Sequence, residues 1–181
     1  MKRTSERLFV RIPQVMTRCP RWEGPITIKF AMDLPWREAV AAGGPDTPSI
    51  WSIWDVGDEF KPEGKGIVER RIYLRNYPTV CLEEGNSSED KAQAWAKQNR
   101  YKACSPRAVF ALSKKYPSLH TLLGTSPTYV VSPQKAFFGA ASLACYAWWG
   151  NYSTRMASLD WSTLFNSPET SPSVWYAFME S

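Results

Sequence analysis

His120 is the only histidine in the chain, so any Ser-His-Asp or Cys-His catalytic arrangement has to use it. The best-placed nucleophile is Cys104, near Lys102 and Arg107 and just ahead of a helix start; both features lower a thiol's pKa. The bland alternative is a small buried thiol beside a helix and a solvated histidine on a loop. It is preferred, because spacing in one chain does not bring nucleophile and base into reach of each other. A single histidine excludes a multi-histidine metal site, and Cys19, Cys81, Cys104 and Cys145 show no C-x-x-C spacing, so no metal is expected. Asp55, Asp58, Glu59 and Glu63 lack EF-hand spacing and read as a solvated acidic loop. Gly43-Gly44, Gly57, Gly64 and Gly66 form neither of the standard phosphate-binding glycine motifs. No cofactor is expected, and no residue is put forward as catalytic.

The stronger signal is charge. Residues 91–135 carry eight Lys or Arg and no acid, whereas residues 38–90 carry eleven acids against five bases. A formal net charge of +5 thus hides a −6 segment followed directly by a +8 segment. Such segregation concerns what the protein attracts, not which fold it adopts. Lys91, Lys97, Arg100 and Lys102 fall on or near one helical segment, and Arg107, Lys114 and Lys115 on the next. Arg107 and Lys114 are seven residues apart, about two turns, and so share a face. Tyr101 and Tyr116 interleave with these charges as stacking groups. A face built only for solubility mixes both signs, so the absence of acids favours an anionic partner.

The elements that must position these residues read as α+β, with an antiparallel sheet of N-terminal and C-terminal strands packed on two or three helices from the middle of the chain. A single domain over residues 1–181 is expected: mainly strands over 1–86, basic helices over 87–124, and a mixed, mainly strand segment over 125–181. Residues 8–12 and 25–32 alternate with period two, and Pro20 and Gly24 between them suit an antiparallel turn. Residues 41–48 read as a loop, residues 50–56 as a central strand, residues 57–66 as an acidic turn region, and residues 67–74 and 79–82 as further strands. Ser87-Ser88-Glu89-Asp90 starts a helix that runs through about Ala103, and Ser105-Pro106 starts another that Pro117 limits. Residues 118–123 add one turn, closed by Gly124. Ser132-Pro133 and the alanines after it signal helix, yet the aromatic run at 143–149 signals strand, and the strand reading is taken there. Gly150-Asn151 turns into a strand at 154–159, and residues 174–179 form a final strand.

Aromatic content is high: nine Trp, eight Tyr and eight Phe. A domain of this size cannot bury all of them, so some Trp or Tyr are expected at the surface as binding anchors. Trp51 and Trp54 read as pointing to opposite faces of a strand, as do Trp148 and Trp149, and each reads first as core. No apolar run is long enough to span a bilayer and no signal peptide is recognised; the scattered cysteines read as reduced thiols, and a cytoplasmic location is expected. The sequons at Asn86 and Asn151 are then chance matches.

The expected function is non-enzymatic: an intracellular protein that blocks or modulates an acidic protein surface or a nucleoprotein complex through a basic, aromatic-containing surface. An accessory protein of a phage or mobile element that inhibits a host system fits this description. The alternative is direct binding of DNA or RNA by the basic segment, with a log–log salt slope of about −0.9 per neutralised phosphate.

Overall fold

The computed structural model describes residues 21–78, 82, 87–138, 141–150, 154–161 and 173–180. In chain order its elements are β1 (Arg21–Ala31), α1 (Trp36–Gly43), β2 (Ile67–Asn76), α2 (Ser88–Gln98), β3 (Tyr101–Ala103), α3 (Pro106–Lys115), α4 (Leu119–Leu123), β4 (Thr128–Phe138), β5 (Ala141–Trp149), β6 (Arg155–Trp161) and β7 (Val174–Glu180). The seven strands form one sheet in the order β1-β2-β7-β4-β5-β6, with β3 pairing on β7 in line with β4. The fold is α+β. The sheet is mostly antiparallel but mixed, because β4 and β7 run parallel.

β7 explains why the sheet needs cover on both sides. Its residues from Val174 to Met179 are all buried, as in a strand sandwiched between two layers. Alternation then divides them. Trp175, Ala177 and Met179 join the larger core with Val109, Phe110 and Leu112 of α3, Val40 of α1 and Leu119 of α4. Val174, Tyr176 and Phe178 join a second core with Ala92 and Ala96 of α2. So α1, α3 and α4 lie on one face of the sheet and α2 on the other.

Local chemistry sets the helix starts where the sequence places them. The Ser87 hydroxyl accepts the Asp90 N–H at 3.0 Å, and Glu89 and Asp90 occupy the first turn of α2. Ser105 accepts the Ala108 N–H at 3.4 Å, with Pro106 in the first position of α3. Left-handed Gly124 ends α4. α2 stops at Gln98 rather than near Ala103: Arg100 adopts φ 59°, and the next three residues leave the helix to pair with β7.

Several expectations are corrected. Residues 41–43 belong to α1, an additional helix from the N-terminal part of the chain, rather than to a loop. Residues 50–56 form no strand; 3-10 turns occupy Ser52–Trp54 and Gly57–Glu59. Two indoles hold that folded loop, Trp36 donating to the Ile53 carbonyl at 2.6 Å and Trp54 to the Pro48 carbonyl at 2.8 Å. Ser132-Pro133 starts no helix but lies within β4, where the register against β5 shifts between Val131 and Lys135 and absorbs the proline. Gly24 and Pro25 likewise sit in a bulge of β1, and a side chain on Gly24 would come within 2.7 Å of the Ile72 carbonyl oxygen. That strand pairs with β2. The strand expected at 8–12, residues 79–81 and both sequon asparagines lie outside the described residues.

Gly43 is where α1 meets α3. A Cβ there would sit 2.5 Å from Phe110 Cβ and 2.7 Å from Phe110 Cα, atoms that cannot swing aside. Helix propensity favours alanine over glycine by roughly 0.5–1 kcal/mol, whereas overpacking costs about 1–3 kcal/mol. Gly43→Ala is therefore expected to lower stability in urea unfolding. A variant at least as stable as the parent would show that the helices separate freely.

Candidate functional site

The sheet divides the basic segment. Lys91 and Lys97 ride on α2, and Arg100 and Lys102 follow it, whereas Arg107, Lys114 and Lys115 belong to α3 on the opposite face. The seven cations therefore do not form one continuous track. Tyr101 is turned inward: its ring stacks on Tyr73 at 4.3 Å and lies against Trp95 at 5.4 Å. Lys102 Nζ stands 3.8 Å from Glu63 Oε2, and Lys135 Nζ bonds Glu89 Oε1 at 2.8 Å with both side chains largely covered. The acidic segment thus closes on part of the basic one.

Arg107 is a fold residue by its contacts. It is buried, donates from Nε to the Leu34 carbonyl at 2.9 Å and from Nη1 to the Phe60 carbonyl, and lies over the Trp36 ring at 5.3 Å. Burial lowers its pKa from the ordinary arginine value. These bonds tie the loops after β1 and after the second 3-10 turn to α3.

The contacts of α3 with β1 and of α1 with α3 leave a groove of about 870 Å³ between the antiparallel β1–β2 pair and these helices. Phe30, Leu34, Ala39, Ala42 and Ala111 make its apolar surface, and Ile67, 78% exposed, stands at its mouth. Lys29, Lys114 and Lys115 surround it together with Arg107, against one acid, Glu69. Glu69 is 3.4 Å from Lys29 Nζ, and Lys115 Nζ donates to the Thr27 carbonyl at 2.8 Å. The groove therefore combines an apolar floor with a cationic rim, and its volume falls within the usual range of ligand sites. Of the residues expected from sequence it gathers Arg107, Lys114 and Lys115. It adds Lys29 and Phe30, which fell in the alternating run at 25–32, Ile67, which began a strand candidate, and Leu34, which carried no sequence signal; the charge argument began only at residue 91.

The nucleophile candidate lies in a different setting. Cys104 is fully buried, and its thiol is pushed well above the ordinary value chiefly by burial, with Glu63 adding to the shift. Such a thiol resists ionisation. His120 Nδ1 is buried with no hydrogen-bond partner among the described residues. Cys104 and Cys145 are free thiols; Cys19 and Cys81 lie outside the described residues. In the acidic turn region Asp55 is held by Arg37 at 2.5 Å and Glu63 accepts from Gln134. Among the described residues no three His, Cys, Asp or Glu side chains gather as a metal-ligand set, and no helix is long and apolar enough to cross a membrane.

Comparison with known proteins finds no matching family model, no matching curated protein and no matching solved structure.

Proposed function

We propose that this is a binding protein that takes an acidic, apolar-anchored segment of a partner protein into the groove between β1, β2, α1 and α3, and blocks or modulates the partner by occupying it. One observation carries the reading: Lys29, Lys114 and Lys115 ring an apolar floor beside the exposed Ile67. Apolar side chains entering the groove would supply most of the affinity, while the rim would speed encounter and set orientation. Direct binding of nucleic acid is less favoured, because the sheet separates the α2 cations from those of α3 and a phosphate backbone needs a connected track.

The test is capture of the partner from the native host in the presence of nuclease, with the parent protein and with the Lys29→Glu/Lys114→Glu variant. Both lysines are exposed and the Lys29–Glu69 pair is a surface contact, so the fold should tolerate the exchange. A defined protein is expected to be retained by the parent and to associate about tenfold or more slowly with the variant, with steep salt dependence. Equal retention by both proteins, or recovery of nucleic acid alone without nuclease, would overturn the reading.

A further inference from the structure

We propose that the partner segment enters the groove as an added β-strand, pairing backbone to backbone with the open edge of β1, an inference that rests on the groove being the partner site. Among the described residues β1 is the outermost strand on its side of the sheet. Its register with β2 fixes which backbone groups face outward. The Met32 N–H bonds the Gly66 carbonyl at 2.9 Å, one step beyond the Ala31–Ile67 pair. Bonded and non-bonded pairs alternate in an antiparallel ladder, so Ile26, Ile28 and Phe30 bond β2. Thr27, Lys29 and Ala31 then turn their N–H and C=O groups away from it. Two contacts agree: Lys115 Nζ donates to the Thr27 carbonyl at 2.8 Å, and the Leu34 N–H to the Ala31 carbonyl at 3.4 Å. Among the described residues nothing accepts from the three outward N–H groups, and the Lys29 carbonyl takes no donor.

The groove follows this edge. The consecutive residues Lys29, Phe30 and Ala31 line it, and their side chains alternate between the two faces of the sheet. α3 flanks the edge, held at one end by Arg107 on the Leu34 carbonyl and at the other by Lys115 on Thr27. Beside Thr27–Ala31 there is room for about four or five guest residues. The edge also selects the guest. A residue opposite Phe30 shares its face of the sheet, toward Ala111 and Leu34, and is therefore apolar. A residue opposite Lys29 lies beside its ammonium on the other face and is therefore acidic. Glu69 occupies that ammonium from the β2 side at 3.4 Å, but both side chains are exposed and an ammonium has three donors. Lys114 and Lys115 add positive charge toward the Thr27 end. The guest is thus an extended segment in which acidic and apolar residues alternate. A helical guest, its own backbone bonds already made, would leave the outward N–H groups of β1 unpaired. A second copy of the chain would bring the same cations face to face, and residues 1–20 carry five Lys or Arg against one acid, so neither suits the edge.

The experiment titrates the 15N-labelled protein with an acetylated, amidated hexapeptide that alternates valine and glutamate, and with the same peptide carrying lysine for glutamate. The acidic peptide is expected to bind saturably, and at about ten times its Kd to slow solvent exchange of the Lys29 and Ala31 amides about tenfold. The Ile28 and Phe30 amides, already bonded to β2, should change little, and the basic peptide should not bind. Lys29→Pro and Lys29→Gln separate backbone from charge. Both lose the ammonium, but only proline loses the outward N–H, a change that edge strands tolerate. Lys29→Pro should bind the acidic peptide about tenfold more weakly than Lys29→Gln. If the proline variant unfolds in far-UV circular dichroism, amide exchange in the parent decides alone. Binding that shifts the Phe30 and Ala111 resonances but leaves the Lys29 and Ala31 amides exchanging as before overturns strand addition and leaves the groove standing as the partner site. No saturable binding of the acidic peptide, or equal binding of the basic one, overturns the proposed guest. Failure of the groove itself shows instead as equal capture of the partner by the parent and the Lys29→Glu/Lys114→Glu variant.

Discussion

Replacing Trp175 with alanine is expected to cost about 3–5 kcal/mol of folding stability, the usual range for deleting a buried Trp side chain. Trp175 is the second residue of β7, 1% exposed, with the Arg21 guanidinium over its ring at 4.9 Å. Its indole adjoins the cores of α1 and α3, so truncation opens a cavity that no single element can close. Domains of this size are stable by only about 5–15 kcal/mol, so the variant should be partly unfolded or close to it. Trp175→Phe should cost much less, because it keeps an aromatic ring and removes an indole N–H that has no hydrogen-bond partner among the described residues. Equilibrium urea unfolding measures both, read as a shift in midpoint at constant slope. A loss under about 1 kcal/mol for the alanine variant would mean that β7 is not the strand on which both layers rest.

Arg107→Ala is expected to cost on the order of 3 kcal/mol, for a different reason. The guanidinium satisfies the Leu34 and Phe60 carbonyls, and hydrogen bonds from charged groups contribute about 1.5–3 kcal/mol each. Without it two covered carbonyls lose their donor, and the Trp36 ring loses the cation above it. Arg107→Lys should recover little, because a single ammonium does not reproduce a fork that reaches two separate loops. Leu34 also lines the groove, so partner binding should fall along with stability. That loss should be insensitive to salt, unlike the loss from Lys29→Glu/Lys114→Glu. A fully stable Arg107→Ala variant with salt-dependent binding would instead assign Arg107 to the rim, beside Lys114.

Much of the fold was legible in local patterns, because some signals need only a few neighbouring residues. A serine hydroxyl followed three residues on by a free N–H marked the starts of α2 and α3, and both caps form. The short aromatic and apolar run at 174–179 marked a final strand, and β7 forms there. The misreadings came where local preference competed with distant partners. The run at 50–56 is apolar enough for a strand, but Trp36 and Pro48 offer its loop form hydrogen bonds from outside the segment. The Ser132-Pro133 helix signal lost to the ladder of β4, where the Ser132 hydroxyl donates to the Cys104 carbonyl at 2.7 Å and a bulge accommodates the proline.

The candidate sites were legible only in part, for the same reason. The charge block named Arg107, Lys114 and Lys115, yet its composition could not say that Arg107 faces inward or that α2 and α3 lie on opposite sides of the sheet. The groove draws on residues from 29 to 115, and nothing in their spacing brings them together. The alternation of β1, the starts of α2 and α3 and the unequal charge of neighbouring segments could be read from local residues, because each depends on contacts within a turn or two. Which face each helix covers, and therefore which cations and rings share a surface, was decided only by the tertiary structure. Strand order and cross-strand register act between residues far apart in the chain, and a single-residue change of register would turn every side chain of a strand to the other face.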